Sequence, residues 1–304
     1  MSRLVSIPLA AYPQDALSGL SIGSFSIGAA RAAMWLSQLA YEEDAAKVAI
    51  VLARWQLAPL VIFDRPGAGL LPAARTRGFV ARGQGVTIVA FGGTDPLVLS
   101  NWVTDLRIGR TSEGAHRGFS DALDVMWGEI SPLLPAPATL PVLYVGHSLG
   151  GAVALLAAWR ALAQFGAQPA AVYGFGMPRP GNAALAARIN AAFGQRIYRL
   201  AHGQDIVPSL PPAALGFMHA GRYLHCAGQG QFDYSMLSSG LSDAPANGGN
   251  LTAGWRERLL RLLPRARAGD APAGINASPV ANGFLPAPLG DHLPDRYWNA
   301  LAGV

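Results

Sequence analysis

Apolar residues recur at helical spacing through Trp35, Leu36, Leu39 and Ala40 and again through Val48, Val51 and Leu52, so residues 28–58 are expected to be helical. The acidic run Glu42-Glu43-Asp44 interrupts them where a new helix can start. The pattern then changes. Val61-Ile62-Phe63 and Gly78-Phe79-Val80-Ala81 are short β-type runs separated by a Pro/Gly turn, and Val86 to Phe91 is a continuous apolar strand of the kind covered on both faces. From there strand and helix alternate: Leu140–Val145 strand, Gly150–Phe165 helix, Ala170–Phe175 strand, Asn182–Phe193 helix, Ile197–Ala201 strand. This order predicts parallel strands joined by crossover helices, an α/β fold with helices on both faces of a mostly parallel central sheet.

Residues 226–285 differ in character, rich in Gly, Ala, Pro, Ser and Asn around one basic apolar stretch, Trp255 to Leu263. They are read as an excursion from a single domain spanning residues 1–304. The stretch Arg256 to Arg267 reads first as a helix with its apolar face on the core, and second as a transient contact with a lipid surface.

Composition narrows the classes. Charged residues are 13% of the 304 and mean hydropathy is +0.26. A large Ala/Leu/Val core accounts for this more simply than an exposed apolar surface for a greasy substrate. The net charge of +5 is carried almost wholly by scattered arginines, with Lys47 the only lysine. No aromatic-interleaved basic stripe is present, which argues against nucleic acid as a partner. Cys226 is the only cysteine, so neither an intrachain disulfide nor a cysteine-based metal site is expected. The N-terminal run is broken by Pro8 and Pro13, a poor export signal, and no stretch of eighteen apolar residues occurs. The compartment stays open on this reading, with cytoplasmic placed ahead of secreted.

Gly146-His147-Ser148-Leu149-Gly150 matches G-x-S-x-G. The match alone is weak, but an apolar strand precedes it and a helix follows. A sharp strand-to-helix turn there lifts the Ser148 hydroxyl to the sheet's edge, beside the positive end of a helix. A serine hydroxyl needs a base. Chain order after such an elbow leaves His202, His219, His225 and His292. His292 lies in a loop, where a base is free to face the serine, whereas His219 lies in an apolar run and reads as a core residue. His147 is expected to turn away from Ser148. Asp205 follows the strand ending near Ala201 and fits the orienting acid; on spacing alone a turn or capping role fits equally well. Asp291 is a rival acid, disfavoured because neighbouring side chains rarely aim at one another. For an oxyanion, the Leu149 N–H is one expected donor and Thr94, after Phe91-Gly92-Gly93, a candidate for the other, although taken alone that segment reads more readily as an ordinary glycine turn.

These segments together, from about Trp35 to Tyr297, resemble the class 3 lipases, the fungal-type family of the α/β-hydrolases. The resemblance is carried by Phe91–Thr94 with Asn101–Leu106, His116–Phe119, Gly146–Gly151, Gly176–Asn182, Asp205–Pro208 with Leu210–Pro212 and Phe217–Gly221, and Asp291–Leu293. It implies Ser148 as nucleophile, Asp205 as acid, His292 as base, and Thr94 and Leu149 as oxyanion donors, with no metal or cofactor. It also implies a lid over Asp95 to Leu106 whose apolar face is Leu97, Val98, Leu99, Trp102 and Val103, with Leu293 as a further lid or acyl-binding residue. The implied activity is hydrolysis of acylglycerol or related lipid esters. Phospholipase A1 or small-ester activity is the enzymatic alternative, and a non-catalytic scaffold binding lipid or a partner is the alternative of another class. The chain departs from the family in having Gly92 where the family has Arg, and in lacking the disulfides and export signal of the secreted fungal members. Oligomeric state is not read.

Overall fold

The computed structural model describes residues 6–66, 75–93, 109–136, 139–228, 230–238, 241 and 287–302. The helical region divides as the acidic interruption suggests, into α1 (Ile27–Leu39) and α2 (Ala45–Arg54). Ser26 caps α1 by accepting the Ala29 N–H, and Asp44 caps α2 by accepting from Ala46 and Lys47. Each cap satisfies a donor that has no partner inside the first helical turn.

Among the described residues a seven-stranded sheet runs in the order β1 (Ala58–Pro66), β2 (Arg75–Gly83), β3 (Val86–Phe91), β4 (Val142–His147), β5 (Ala171–Phe175), β7 (Ile197–His202), β9 (Arg222–Cys226). The pairs β1–β2 and β2–β3 are antiparallel; from β3 to β9 every pair is parallel. The parallel strands are joined through α3 (Arg117–Ile130), α4 (Leu149–Phe165) and α5 (Ala183–Phe193). Two-residue strands β6 (Gly181–Asn182) and β8 (Phe217–Met218) pair separately at the rim. The short helix α6 (Ala287–Gly290) and then α7 (Pro294–Ala300) close the described chain.

Successive strand residues serve opposite faces, as the pleat demands. Val89 and Phe91 join Phe119, Leu155 and Ile189 in one cluster; Ile88 and Ala90 join Met34, Leu36, Leu52 and Leu301 in the other. This two-sided cover is why β3 reads as unbroken apolar sequence, each fully buried Ile, Val or Phe contributing roughly 1.5–3 kcal/mol. The N-terminal segment joins the second cluster through Tyr12, Ala16 and Leu17. Tyr12 packs edge-on against Trp35 and Trp55 and donates its hydroxyl to buried Glu42 at 2.7 Å. Glu42 also accepts from Ser6 and the Ile7 N–H and pairs with Lys47 at 2.8 Å, while Lys47 donates to the Ile7 carbonyl. No helix of the described residues is long and apolar enough to cross a membrane.

Candidate active site

The C-terminal ends of β4 and β7 place two of the predicted residues on one rim. At the end of β4 the chain turns so sharply that Ser148 adopts φ 58°, ψ −133°, a conformation side-chain-bearing residues rarely take. The turn closes only because its neighbours are glycines. A Cβ at Gly146 would lie 2.2 Å from the Gly150 carbonyl oxygen, and one at Gly150 would lie 2.3 Å from that of Phe91. The Ser148 N–H is held by the Phe175 carbonyl at 2.8 Å, tying the elbow to β5. Leu149 is the first residue of α4, so its N–H has no acceptor within the helix and points toward the rim with the positive end of the helix dipole.

His292 arrives from the other end of the chain, on the bend between α6 and α7. Its Nε2 lies 2.8 Å from Ser148 Oγ and its Nδ1 lies 2.8 Å from Asp205 Oδ2. A carboxylate only accepts hydrogen bonds, so Nδ1 carries the proton, and Nε2 is left to accept from the serine hydroxyl. Asp205 follows β7, its other oxygen accepting the Val207 N–H at 2.9 Å. The Tyr297 hydroxyl of α7 donates to Asp205 Oδ2 at 2.5 Å and accepts the His202 N–H at 3.2 Å. Burial, and then the Asp205 charge, hold the Tyr297 phenol well above its ordinary pKa, so it remains a donor. All three members of the series are buried: Ser148 is 0%, His292 1% and Asp205 8% exposed.

Asp291, the rival acid, points elsewhere, its Oδ2 accepting the Gln204 N–H at 2.8 Å. His147 turns away from Ser148, as expected. Its Nε2 is 2.8 Å from the His292 carbonyl and its Nδ1 is 2.6 Å from the Tyr41 hydroxyl. Because the carbonyl can only accept, Nε2 donates and Nδ1 accepts from Tyr41. Burial, and then neighbouring His292, hold His147 far below the ordinary histidine pKa, so it stays neutral beside the base. His219 is a core residue, as its apolar run predicts, bonded through Nε2 to the Pro208 carbonyl at 2.8 Å. Leu293 is buried at the N-cap of α7. Thr94, Leu97, Val98, Leu99, Trp102 and Val103, with the basic stretch Arg256 to Arg267, lie outside the described residues.

Two residues around the series had no sequence signal of their own, and three glycines of the named segments gain a steric reason. Tyr41 and Tyr297 find partners 106 and 92 residues away. Gly176, at φ +55°, lies beneath the acid and base: a Cβ there would meet Asp205 Oδ2 at 2.7 Å and His292 Cε1 at 2.8 Å. Gly93 lies against the nucleophile, its Cβ position 2.8 Å from that of Ser148. Gly92 also has a physical reason, since a Cβ there would be 2.5 Å from the Ala40 carbonyl oxygen. The chain after α1 occupies the space a side chain at 92 needs.

Comparison with known proteins adds the lineage. The family model for lipase (class 3) matches residues 88–215, the part of the chain carrying Ser148 and Asp205. The chain is 32% identical over 166 residues to secreted mono- and diacylglycerol lipase 1 of Fusarium solani, covering 50% of this chain and 49% of that protein. It is 33% identical over 165 residues to a lipase of Rhizomucor miehei, covering 48% and 44%. The aligned part thus spans about half the length of these relatives. Among solved structures, a triacylglycerol lipase whose catalytic centre is described as a serine protease triad superposes with a TM-score of 0.53 at 26% identity, covering 67% of this chain and 78% of that one. The mono- and diacylglycerol lipase of Aspergillus oryzae superposes with a TM-score of 0.58 at 22% identity over 89% and 95%, a likeness of fold. Over residues 88–215 the chain is similar to the class 3 lipase family, and the fold around that segment is one shared with solved lipases.

Proposed function

We propose that this protein is a serine ester hydrolase of the lipase type, cleaving acylglycerols or related lipid esters through an acyl-enzyme on Ser148. The observation that carries this reading is the unbroken series Ser148 Oγ–His292–Asp205, two contacts of 2.8 Å each among buried side chains. The names of the Fusarium and Rhizomucor relatives support the lipid ester as substrate class. The reading treats residues 1–304 as one α/β-hydrolase domain.

In the first half-reaction the Ser148 oxygen attacks the ester carbonyl carbon while His292 Nε2 takes the hydroxyl proton. Asp205 keeps the imidazole in the productive tautomer and stabilises the imidazolium. The Leu149 N–H and Thr94 donate to the oxyanion, a contribution of about 3 kcal/mol for one donor. Collapse of the tetrahedral species releases the alcohol, which leaves with the proton held by His292. Water then gives a proton to His292 as its oxygen attacks the acyl-enzyme carbon; the C–O bond to Ser148 breaks, His292 returns the proton to the serine oxygen, and the fatty acid leaves. Side chains, the Leu149 backbone N–H and water supply every group these steps use.

Ser148→Ala is expected to remove turnover of a p-nitrophenyl ester and labelling by a fluorophosphonate, with the thermal midpoint of the wild type. Turnover that survives in this variant overturns the assignment. Comparing rates on an emulsified diacylglycerol and on short soluble esters then tests the lipid preference.

A further inference from the structure

We propose that Asp291 is a positioning residue for the proposed Ser148–His292–Asp205 series. Its carboxylate fastens the loop that carries the base to the turn that carries the acid. The inference rests on the catalytic reading above and gives a role to a residue that reading leaves unused.

The argument begins with how each side of the bond is supported. The turn Gly203–Asp205 is tied to β9 twice: the Gly203 N–H donates to the Cys226 carbonyl at 2.8 Å, and His225 Nε2 donates to the Gly203 carbonyl at 2.9 Å. The base's segment is anchored further along, in α7, where Tyr297, Ala300 and Leu301 are buried and Trp298 stacks on Trp35 at 5.1 Å. Between that anchor and His292 lies the bend Gly290–Leu293. Besides the two contacts of the His292 ring with Asp205 and Ser148, two hydrogen bonds tie this bend to the body of the protein among the described residues: His147 to the His292 carbonyl, and Asp291 Oδ2 to the Gln204 N–H. The second joins the residue before the base to the residue before the acid, so it sets the distance between the two loops directly.

Gly203 is shaped for this contact. It has φ +55°, and a Cβ on it would lie 2.3 Å from Asp291 Oδ2. Only glycine lets the carboxylate approach the Gln204 N–H so closely. Gln204 presents a backbone donor, so the requirement on position 291 is for an acceptor oxygen and not for a charge. Loss of the bond leaves the α7 anchor in place and lets the bend drift, lowering the fraction of molecules with Nε2 aligned on the serine. Displacements of this kind cost rate more than substrate binding.

The test uses the full chain and a soluble p-nitrophenyl ester, with Ser148→Ala run alongside. Asp291→Ala is expected to lower kcat by about ten-fold with KM changed by less than about two-fold. The rate of fluorophosphonate labelling should fall by the same factor, with a small change in thermal midpoint. Asp291→Asn, whose amide oxygen still accepts, is expected to keep kcat within about three-fold of wild type. Gly203→Ala is expected to match Asp291→Ala or exceed it, and adding Asp291→Ala to it should cost little more, because the two act on one contact. Wild-type kcat in Asp291→Ala overturns the proposal, as does Asp291→Asn falling as low as Asp291→Ala, which assigns the effect to charge. An inactive Ser148→Ala beside an unimpaired Asp291→Ala removes the positioning role alone. An active Ser148→Ala removes the catalytic reading and this role with it.

Discussion

The elbow that carries Ser148 and the segment that carries His292 bring their side chains to one point by opposite means. The elbow is built from adjacent chain: a buried strand, two glycines whose hydrogens face backbone, and the helix that starts at Leu149. His292 is held from outside its own segment, by His147 on its carbonyl, Asp205 on its ring, and Tyr297 and Trp298 anchoring the helix that follows. Local construction makes a rigid nucleophile. Construction by remote contacts makes a base whose alignment depends on groups elsewhere, and whose perturbation costs alignment before it costs the fold.

The contrast can be broken most severely at the elbow. Gly146→Ala forces a Cβ to within 2.2 Å of the Gly150 carbonyl oxygen, a contact between backbone atoms that no rotamer relieves. Loss of turnover is expected to be complete, together with a large fall in thermal midpoint. A folded, active Gly146→Ala would show that the turn is not the constraint it appears from its geometry.

A second, smaller effect treats both regions at once. Burial holds His147 in the elbow and His202 beside the acid's turn below their ordinary pKa, and it pushes His116 at the start of α3 down to about 4. A histidine whose folded pKa is depressed stabilises the fold fully above the unfolded value of about 6.5. That stability is lost as the pH falls toward the folded value, because the unfolded chain then binds the proton more readily. For His116 the loss between pH 6.5 and 4 is on the order of 3 kcal/mol. Denaturant titrations of wild type and His116→Phe should converge in acid sensitivity only if this is wrong; the expected result is a flatter acid limb in the variant. Its ring packs between Phe119 and Phe217, a site that suits phenylalanine.

The mildest perturbation sharpens the contrast. Trp298 is partly buried and stacks on Trp35 at 5.1 Å. Trp298→Ala is expected to cost about 2 kcal/mol, less than full burial of the ring would imply. Hydrogen exchange should quicken over residues 287–302 while amides of β4 and α4 keep their protection. Equal acceleration in both regions would mean that the base's segment and the elbow unfold as one unit.

The same division decides what could be read before the structure was known. Residues whose geometry is set by near neighbours were legible. Val86–Phe91 is the strand the apolar run predicts, α4 begins beside the glycines of the elbow, and Asp44 starts a helix where the acidic run breaks the first one. Strands in the outer part of the sheet were only partly legible, because charged and polar residues interrupt the apolar pattern. In β2 the arginines at 75, 77 and 82 hide a strand that pairs on both sides, and β9 is spelled Arg222-Tyr223-Leu224-His225-Cys226. Motif order picked out Ser148, Asp205 and His292, and the fold brings the three into hydrogen-bonding contact. Two of their supports, Tyr41 and Tyr297, carry no local signature, since each acts only on a group far away in the chain, while Gly176 stood in a named segment without a stated role. Adjacency to His292 gives Asp291 only a weak claim as a rival acid, and its carboxylate accepts a backbone N–H instead.

Lys47 carries the only side-chain amine in the protein, and that amine is already engaged, with Glu42 on one side and the Ile7 carbonyl on the other. Reagents that seek primary amines, such as aldehyde cross-linkers, activated-ester dyes and resins for immobilising the protein, therefore have one side-chain target. To take it they must first unfasten the N-terminal segment from α2. Attachment through arginine- or carboxylate-directed chemistry leaves that fastening intact.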